Sequence, residues 1–208
     1  MTASKIKLTY YTSEGIAEPI RYVLAMSGEQ WEDNRLTSEA INDLKPTLPY
    51  NQVPILEYDG KIIPQSGALL RFVGKIAGLY PEDPVEAAYA DAAVDCVAES
   101  LTKMTSVRHE EDEERKAKMS ENLIKNFLPR WMENLEKNLK AAGGEYYTGK
   151  EMSIGDIAVA CRLGLLKNGF VEGVPMEMFD DYPLLAALCD RVEAEPRIVA
   201  YKEKLIKT

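Results

Sequence analysis

Every run in this 208-residue chain that reads as a strand falls before Pro64, and beyond Pro84 the apolar residues keep helical spacing only. That division restricts the chain to a small α/β unit followed by an all-helical one. Charge changes along the same line. Residues 1–80 carry 8 basic and 9 acidic side chains, whereas residues 81–208 carry 17 and 25. The expected domains are therefore 1–80 and 85–208, with 81–84, Pro81 to Pro84, as the linker.

Within the first part, Ile6 to Tyr10 reads as a strand, Ala17 to Met26 as a helix ending at Gly28, and Glu32 to Leu36 as a second strand, which is a βαβ unit. A short helix over Glu39 to Leu44 follows. Ile55 to Tyr58 and Lys61 to Ile63 flank Asp59-Gly60, a dipeptide favoured in two-residue hairpins. A helix from Ser66 to Ile76 stops at Gly78. The predicted order is βαβαββα with a mixed four-stranded sheet.

In the second part, Val85 to Val107 and Lys116 to Ala142 are helical, and Pro129 bends the latter because Leu128, Trp131, Met132, Leu135 and Leu139 keep their period across it. Ser153 to Asp156 reads as a capping box, with Met152 and Ile157 as its hydrophobic staple. Pro183 to Glu193 and Pro196 to Ile206 read as two last helices.

Composition removes several functions. A net charge of −9 has the wrong sign for a protein whose partner is a phosphate backbone or an anionic membrane. No run nears the ~18 apolar residues of a membrane span, and the opening MTASKIKLTYY lacks a secretory apolar core, so a soluble, cytoplasmic protein is expected. Cys96, Cys161 and Cys189 are too scattered for a disulfide framework or a zinc site, and the single histidine, His109, sits in the solvated run RHEEDEERK. The chemistry is expected to need no metal.

A βαβ unit followed by ββα is the thioredoxin-like plan, whose redox members keep CxxC at the start of the first helix. Here no cysteine precedes Cys96, and the position after the first strand offers Tyr10, Tyr11, Thr12 and Ser13 instead. On the residues alone, core packing is the preferred reading of a strand tyrosine. KLTYY (Lys7 to Tyr11), AEPIRYVLA (Ala17 to Ala25), LPYNQVPILEYDG (Leu48 to Gly60), the Pro64-Gln65-Ser66 turn and the Ser153 to Asp156 box, in this order, give the whole chain a further reading. It resembles the cytosolic glutathione transferases, most closely their sigma class, which includes glutathione-dependent prostaglandin D synthases.

The resemblance implies a set of roles. Tyr10 matches the catalytic tyrosine, whose hydroxyl donates to the glutathione thiolate; Tyr11 is the rival, with alternation sending it to the opposite face. Gln52, Val53 and Pro54 match the segment in which a cis proline presents the preceding backbone to the cysteinyl part of glutathione. Gln65 and Ser66 match the helix start that receives the γ-glutamyl carboxylate, where an ordinary N-cap serine is the other reading. Lys45 matches the lysine for the glycyl carboxylate, and Glu99 the acid that approaches the γ-glutamyl amino group from the second subunit of a homodimer. Ile16 and Ile41 depart from the class, standing where an arginine and a tryptophan are common. The electrophile pocket is expected from Thr12 to Glu14, Leu101, Met104, Ser106 and Tyr201. The implied activity is conjugation of glutathione, as co-substrate, to small apolar electrophiles; a glutathione-dependent isomerase and a non-catalytic crystallin-like or ligand-binding protein are the alternatives.

Overall fold

The computed structural model describes residues 6–206. It divides into two compact units: one takes the chain up to Tyr80 together with the segment from Pro196, and the other is Pro81–Glu195.

The first unit is built on a four-stranded sheet of order β2-β1-β3-β4. Strand β1 (Ile6–Tyr11) pairs in parallel with β2 (Trp31–Leu36) and antiparallel with β3 (Ile55–Tyr58), which pairs with β4 (Lys61–Pro64). As an inner strand, β1 buries Ile6, Leu8, Thr9 and Tyr10. Asp59 and Gly60 both take positive φ, the conformation that a two-residue turn between twisted antiparallel strands requires. Helix α1 (Glu18–Met26) follows β1, α2 (Ser38–Leu44) follows β2, and α3 (Ser66–Ala77) follows β4. α1 packs against α3, which packs on β3 and β4, and Ile20, Val23, Leu56, Leu69 and Val73 lie out of reach of solvent. Each such side chain contributes about 1.5–3 kcal/mol. The mixed sheet and βαβαββα order follow the sequence expectation.

The second unit is helical: α4 (Pro84–Arg108), α5 (Glu113–Asn122), α6 (Leu128–Ala141), α7 (Ile154–Lys167) and α8 (Pro183–Glu193). Asp83 caps α4, its Oδ1 accepting the Val85 and Glu86 amides, and Asp112 caps α5 through the Arg115 amide. α4 and α7 pack closely at Gly155, where a Cβ would lie 2.9 Å from the Ala90 carbonyl oxygen. Between α5 and α6 the chain passes through a π turn, Leu123–Phe127. Pro129, near the start of α6, has no amide to give the preceding turn; the wider turn keeps the helical path going, with the Leu128 amide bonded to the Leu123 carbonyl.

The last helix, α9 (Pro196–Ile206), groups with the first unit rather than with the helices that precede it in sequence. Arg197 donates to the Met26 carbonyl at the end of α1 (2.8 Å), and the ring of Tyr201 packs against those of Tyr22 and Trp31.

Candidate functional site

Register decides which residues meet at one end of the sheet. Thr9 is opposite Ile55, and Ile55 is opposite Pro64. One residue further along each strand therefore stand Tyr10, Pro54 and Gln65, from three distant parts of the sequence. Tyr10 is 9% exposed. Its phenol lies over the backbone of Gly15, where an added Cβ would fall 2.7 Å from the hydroxyl oxygen; Gly15 also has φ +51°, so that position suits only glycine. Tyr11 meets Tyr10 edge to face at 5.1 Å between ring centres, and the Lys45 ammonium lies 6.0 Å from the Tyr11 ring.

The Val53–Pro54 bond is cis. Gln52 and Gln65 meet through a 3.4 Å bond from Gln65 Nε2 to Gln52 Oε1. Gln65 holds φ +73°, ψ 112°, an unusual backbone state for a residue with a side chain, and makes no side-chain bond to the first turn of α3. Ser66 is the first residue of α3 rather than its cap, which rules out the ordinary N-cap reading. The start of this helix presents its amides and the positive end of its dipole. Lys45 donates to Asn42 Oδ1 (3.4 Å) on α2. Ile41 is fully buried in α2.

The loop between β1 and α1 is held in a way the sequence reading missed. Arg21, on α1, is wholly buried. Its guanidinium donates to the carbonyls of Tyr11 (3.1 Å), Ser13 (2.9 Å) and Glu14 (3.2 Å), and to the carboxylates of Glu18 (3.1 Å) and Asp33 (3.0 Å). Arg35, at the end of β2, takes the remaining carbonyl of the loop, that of Thr12 (2.8 Å), together with the other Asp33 oxygen (2.7 Å) and the Tyr201 hydroxyl (2.7 Å). Four consecutive carbonyls, Tyr11 to Glu14, thus accept from two arginines that share one aspartate. Two carboxylates balance two guanidiniums, which is how buried charge becomes tolerable. Burial still raises the Glu18 carboxyl above its ordinary range, against the opposing pull of Arg21. A signal for Arg21 was available: within AEPIRYVLA it stands four residues after Ala17 and three before Leu24, both buried, so helical spacing puts it on the core face of α1.

The remaining expected residues lie on the helical unit or take other parts. Glu99 is exposed on α4 and lines a groove of about 430 Å³ with Lys103 and Arg130. Met104 lines a cleft of about 730 Å³ with Val107, Arg108 and Phe170. Leu101 and Ser106 are not in that cleft, and the Ser106 hydroxyl turns back to the Thr102 carbonyl (2.8 Å). Tyr201 is buried, with its hydroxyl engaged by Arg35. Burial raises the Cys96 thiol and pushes Cys189 up to about 11, so both are protonated at neutral pH and poor nucleophiles. Among the described residues, no three His, Cys, Asp or Glu side chains gather as a metal site, and no helix is long and apolar enough to cross a membrane.

A unit with the thioredoxin-like strand order, joined in sequence to a helical unit, defines a class that comparison with known proteins makes specific. The profile of the Glutathione S-transferase, N-terminal domain matches residues 6–75, and that of the Glutathione S-transferase, C-terminal domain matches residues 98–205. Hematopoietic prostaglandin D synthase of Gallus gallus is 36% identical over 203 residues, covering 97% of both chains. Glutathione S-transferase S1 of Drosophila melanogaster is 32% identical over 197 residues, 95% of this chain and 77% of its own length. Among solved structures, prostaglandin synthase D of Nilaparvata lugens superposes with a TM-score of 0.88 at 34% identity, over 96% of this chain and 98% of that one. The chain belongs to the glutathione S-transferase family, and it is an enzyme of that family.

Proposed function

We propose that the protein is a sigma-class glutathione transferase in which the Tyr10 hydroxyl stabilises the glutathione thiolate for attack on a small apolar electrophile. The observation that carries this reading is the convergence of Tyr10, the cis Val53–Pro54 bond and the strained Gln65 at one end of a single sheet. A free cysteinyl thiol titrates near pH ~8.5; making it mostly thiolate at neutral pH takes about 2 units, or roughly 2.7 kcal/mol of preferential stabilisation. A phenol hydrogen bond to the anion and the field of a helix start both act in that direction. The sulfur lone pair then forms the bond to carbon, and in a substitution the leaving group departs with its electron pair. Proximity of the two reactants supplies the rest of the rate.

The other site residues take the parts their positions allow. The amides at the start of α3, with Gln65 and Ser66, receive the γ-glutamyl carboxylate. The backbone of Val53, next to Gln52 and Pro54, pairs with the cysteinyl portion, and Lys45 meets the glycyl carboxylate. Residues 1–80, which α9 joins, form the glutathione-binding domain, and the helical region from residue 85 supplies the electrophile pocket and the dimer contacts. The working form is a cytoplasmic homodimer in which Glu99 of the second copy faces the γ-glutamyl amino group.

The test is Tyr10→Phe, assayed by retention on immobilised glutathione and by conjugation of a chloronitrobenzene electrophile. Retention should persist while turnover falls roughly ten- to hundredfold, the worth of one charge-assisted hydrogen bond of about 1.5–3 kcal/mol. Wild-type turnover in the variant would remove Tyr10 from the mechanism. Since the relative at 36% identity is named a prostaglandin D synthase, isomerisation is the second reading, and analysis of the product for retained or lost glutathione separates the two.

A further inference from the structure

We propose that Arg35 is a positioning residue for the site: through the Thr12 carbonyl it fixes the loop that seats the Tyr10 hydroxyl, and it draws its own anchorage from α9. This rests on the reading of Tyr10 given above. The β1–α1 loop has little means of holding itself. Thr12, Ser13 and Glu14 are all exposed and belong to no strand or helix. Its conformation matters because Gly15, at its far end, is the surface against which the Tyr10 phenol rests.

Of the two arginines that grip the loop, Arg21 approaches from the buried side and reaches the carbonyls of Tyr11, Ser13 and Glu14. Thr12, between them, is reached by Arg35. Arg35 is in turn fixed at two further points, Asp33 Oδ2 at 2.7 Å and the Tyr201 hydroxyl at 2.7 Å. The three nitrogens of the planar Arg35 guanidinium each serve one of these acceptors in a fixed direction, a spread that the single nitrogen of an ammonium cannot match. Asp33 links the two clamps, since its other oxygen receives Arg21 Nε at 3.0 Å. The path from Tyr201 through Arg35 to Thr12 consists of charge-assisted or hydroxyl hydrogen bonds within one compact unit. Arg35 keeps about a fifth of its side chain exposed (22%), so replacing it removes the clamp without opening a cavity in the core.

The test compares Arg35→Ala, Arg35→Lys, Tyr201→Phe, Tyr10→Phe and Arg35→Ala/Tyr10→Phe in the full-length protein, using chloronitrobenzene conjugation and backbone amide order parameters for Thr12 to Gly15. Displacement of a reacting group by a fraction of an ångström is costly, so Arg35→Ala should lose roughly tenfold in kcat with little change in KM for glutathione. Arg35→Lys should recover part of the loss, and Tyr201→Phe should show a smaller loss of the same kind. The order parameters should fall from the rigid value of about 0.85 toward 0.6 in Arg35→Ala. The double variant should be no slower than Tyr10→Phe alone, because Arg35 acts through a hydroxyl that is already gone. A role limited to stability would give multiplicative losses instead.

Wild-type kcat in Arg35→Ala beside a slow Tyr10→Phe overturns the inference and leaves the tyrosine reading standing. Lost kcat with unchanged order parameters, or losses that multiply in the double variant, also overturns it. Wild-type turnover in Tyr10→Phe defeats the tyrosine reading first and the inference with it, and the two failures are told apart by which single variant is silent.

Discussion

Each unit holds a hydrogen-bonded polar cluster, and the two are assembled differently. In the helical unit, Asp156 Oδ2 accepts the Ser153 amide (2.7 Å) and the Ser153 hydroxyl (2.7 Å), while its Oδ1 takes the Tyr147 amide (2.9 Å). These partners lie within ten residues of one another, and their work is to start α7, the most deeply buried helix of that unit. The cluster in the sheet unit gathers Arg21, Asp33, Arg35 and Tyr201, with Arg35 and Tyr201 separated by 166 positions. Its bonds end on the carbonyls of an exposed loop instead of on a helix. One cluster stabilises regular structure. The other sets buried charge against the irregular backbone that follows Tyr10.

That contrast can be broken by removing one member of each cluster. Arg21→Ala should have the largest effect, because it leaves Asp33 and Glu18 without their buried guanidinium and frees three loop carbonyls at once. Losing one partner of a buried ion pair costs about 3–5 kcal/mol, read as a fall in denaturation midpoint. Asp156→Ala should cost less, about 0.5–2 kcal/mol as for other helix caps, and should leave glutathione retention intact. If Asp156→Ala proves the more damaging of the two, the sheet cluster does not carry the load assigned to it.

A smaller effect sharpens the comparison through pH. Glu18 has a folded pKa raised by burial, so the folded state holds its proton at pH values where the unfolded chain has released it. Its contribution to stability is therefore fully present below the ordinary carboxylate range and is lost as pH rises through the raised value. Glu18→Gln keeps an acceptor for Arg21 and removes the titration. The stability of wild type relative to this variant should decline from pH 3 to pH 7 in denaturant unfolding; a difference that grows over that interval would contradict the sign.

The same contrast explains what could be read from the sequence. Asp59-Gly60, the stop at Gly78 and the Ser153–Asp156 box were legible because their partners are fixed by short spacing, and each forms as expected. The sheet-end convergence of Tyr10, Pro54 and Gln65 was reached through the resemblance, since it depends on strand register that no spacing fixes. Arg21 and Asp33 are 12 residues apart on different elements, so only the βαβ crossover brings them together. α9 has the periodicity of any amphipathic helix, and nothing in its pattern says that it joins the sheet unit. The π turn before Pro129 was hidden for a related reason: the apolar period continues across it, and periodicity reports the continuing face but not the hydrogen-bond pattern beneath it.

The central claim is that the Tyr10 hydroxyl, held in place by this loop, stabilises the glutathione thiolate. Titration of the thiolate ultraviolet absorbance of bound glutathione, in wild type and in Tyr10→Phe, tests it most directly. In the wild type the bound thiol should titrate about 2 units below its free value of ~8.5, and in Tyr10→Phe most of that shift should disappear. The same titration midpoint in both proteins would contradict it.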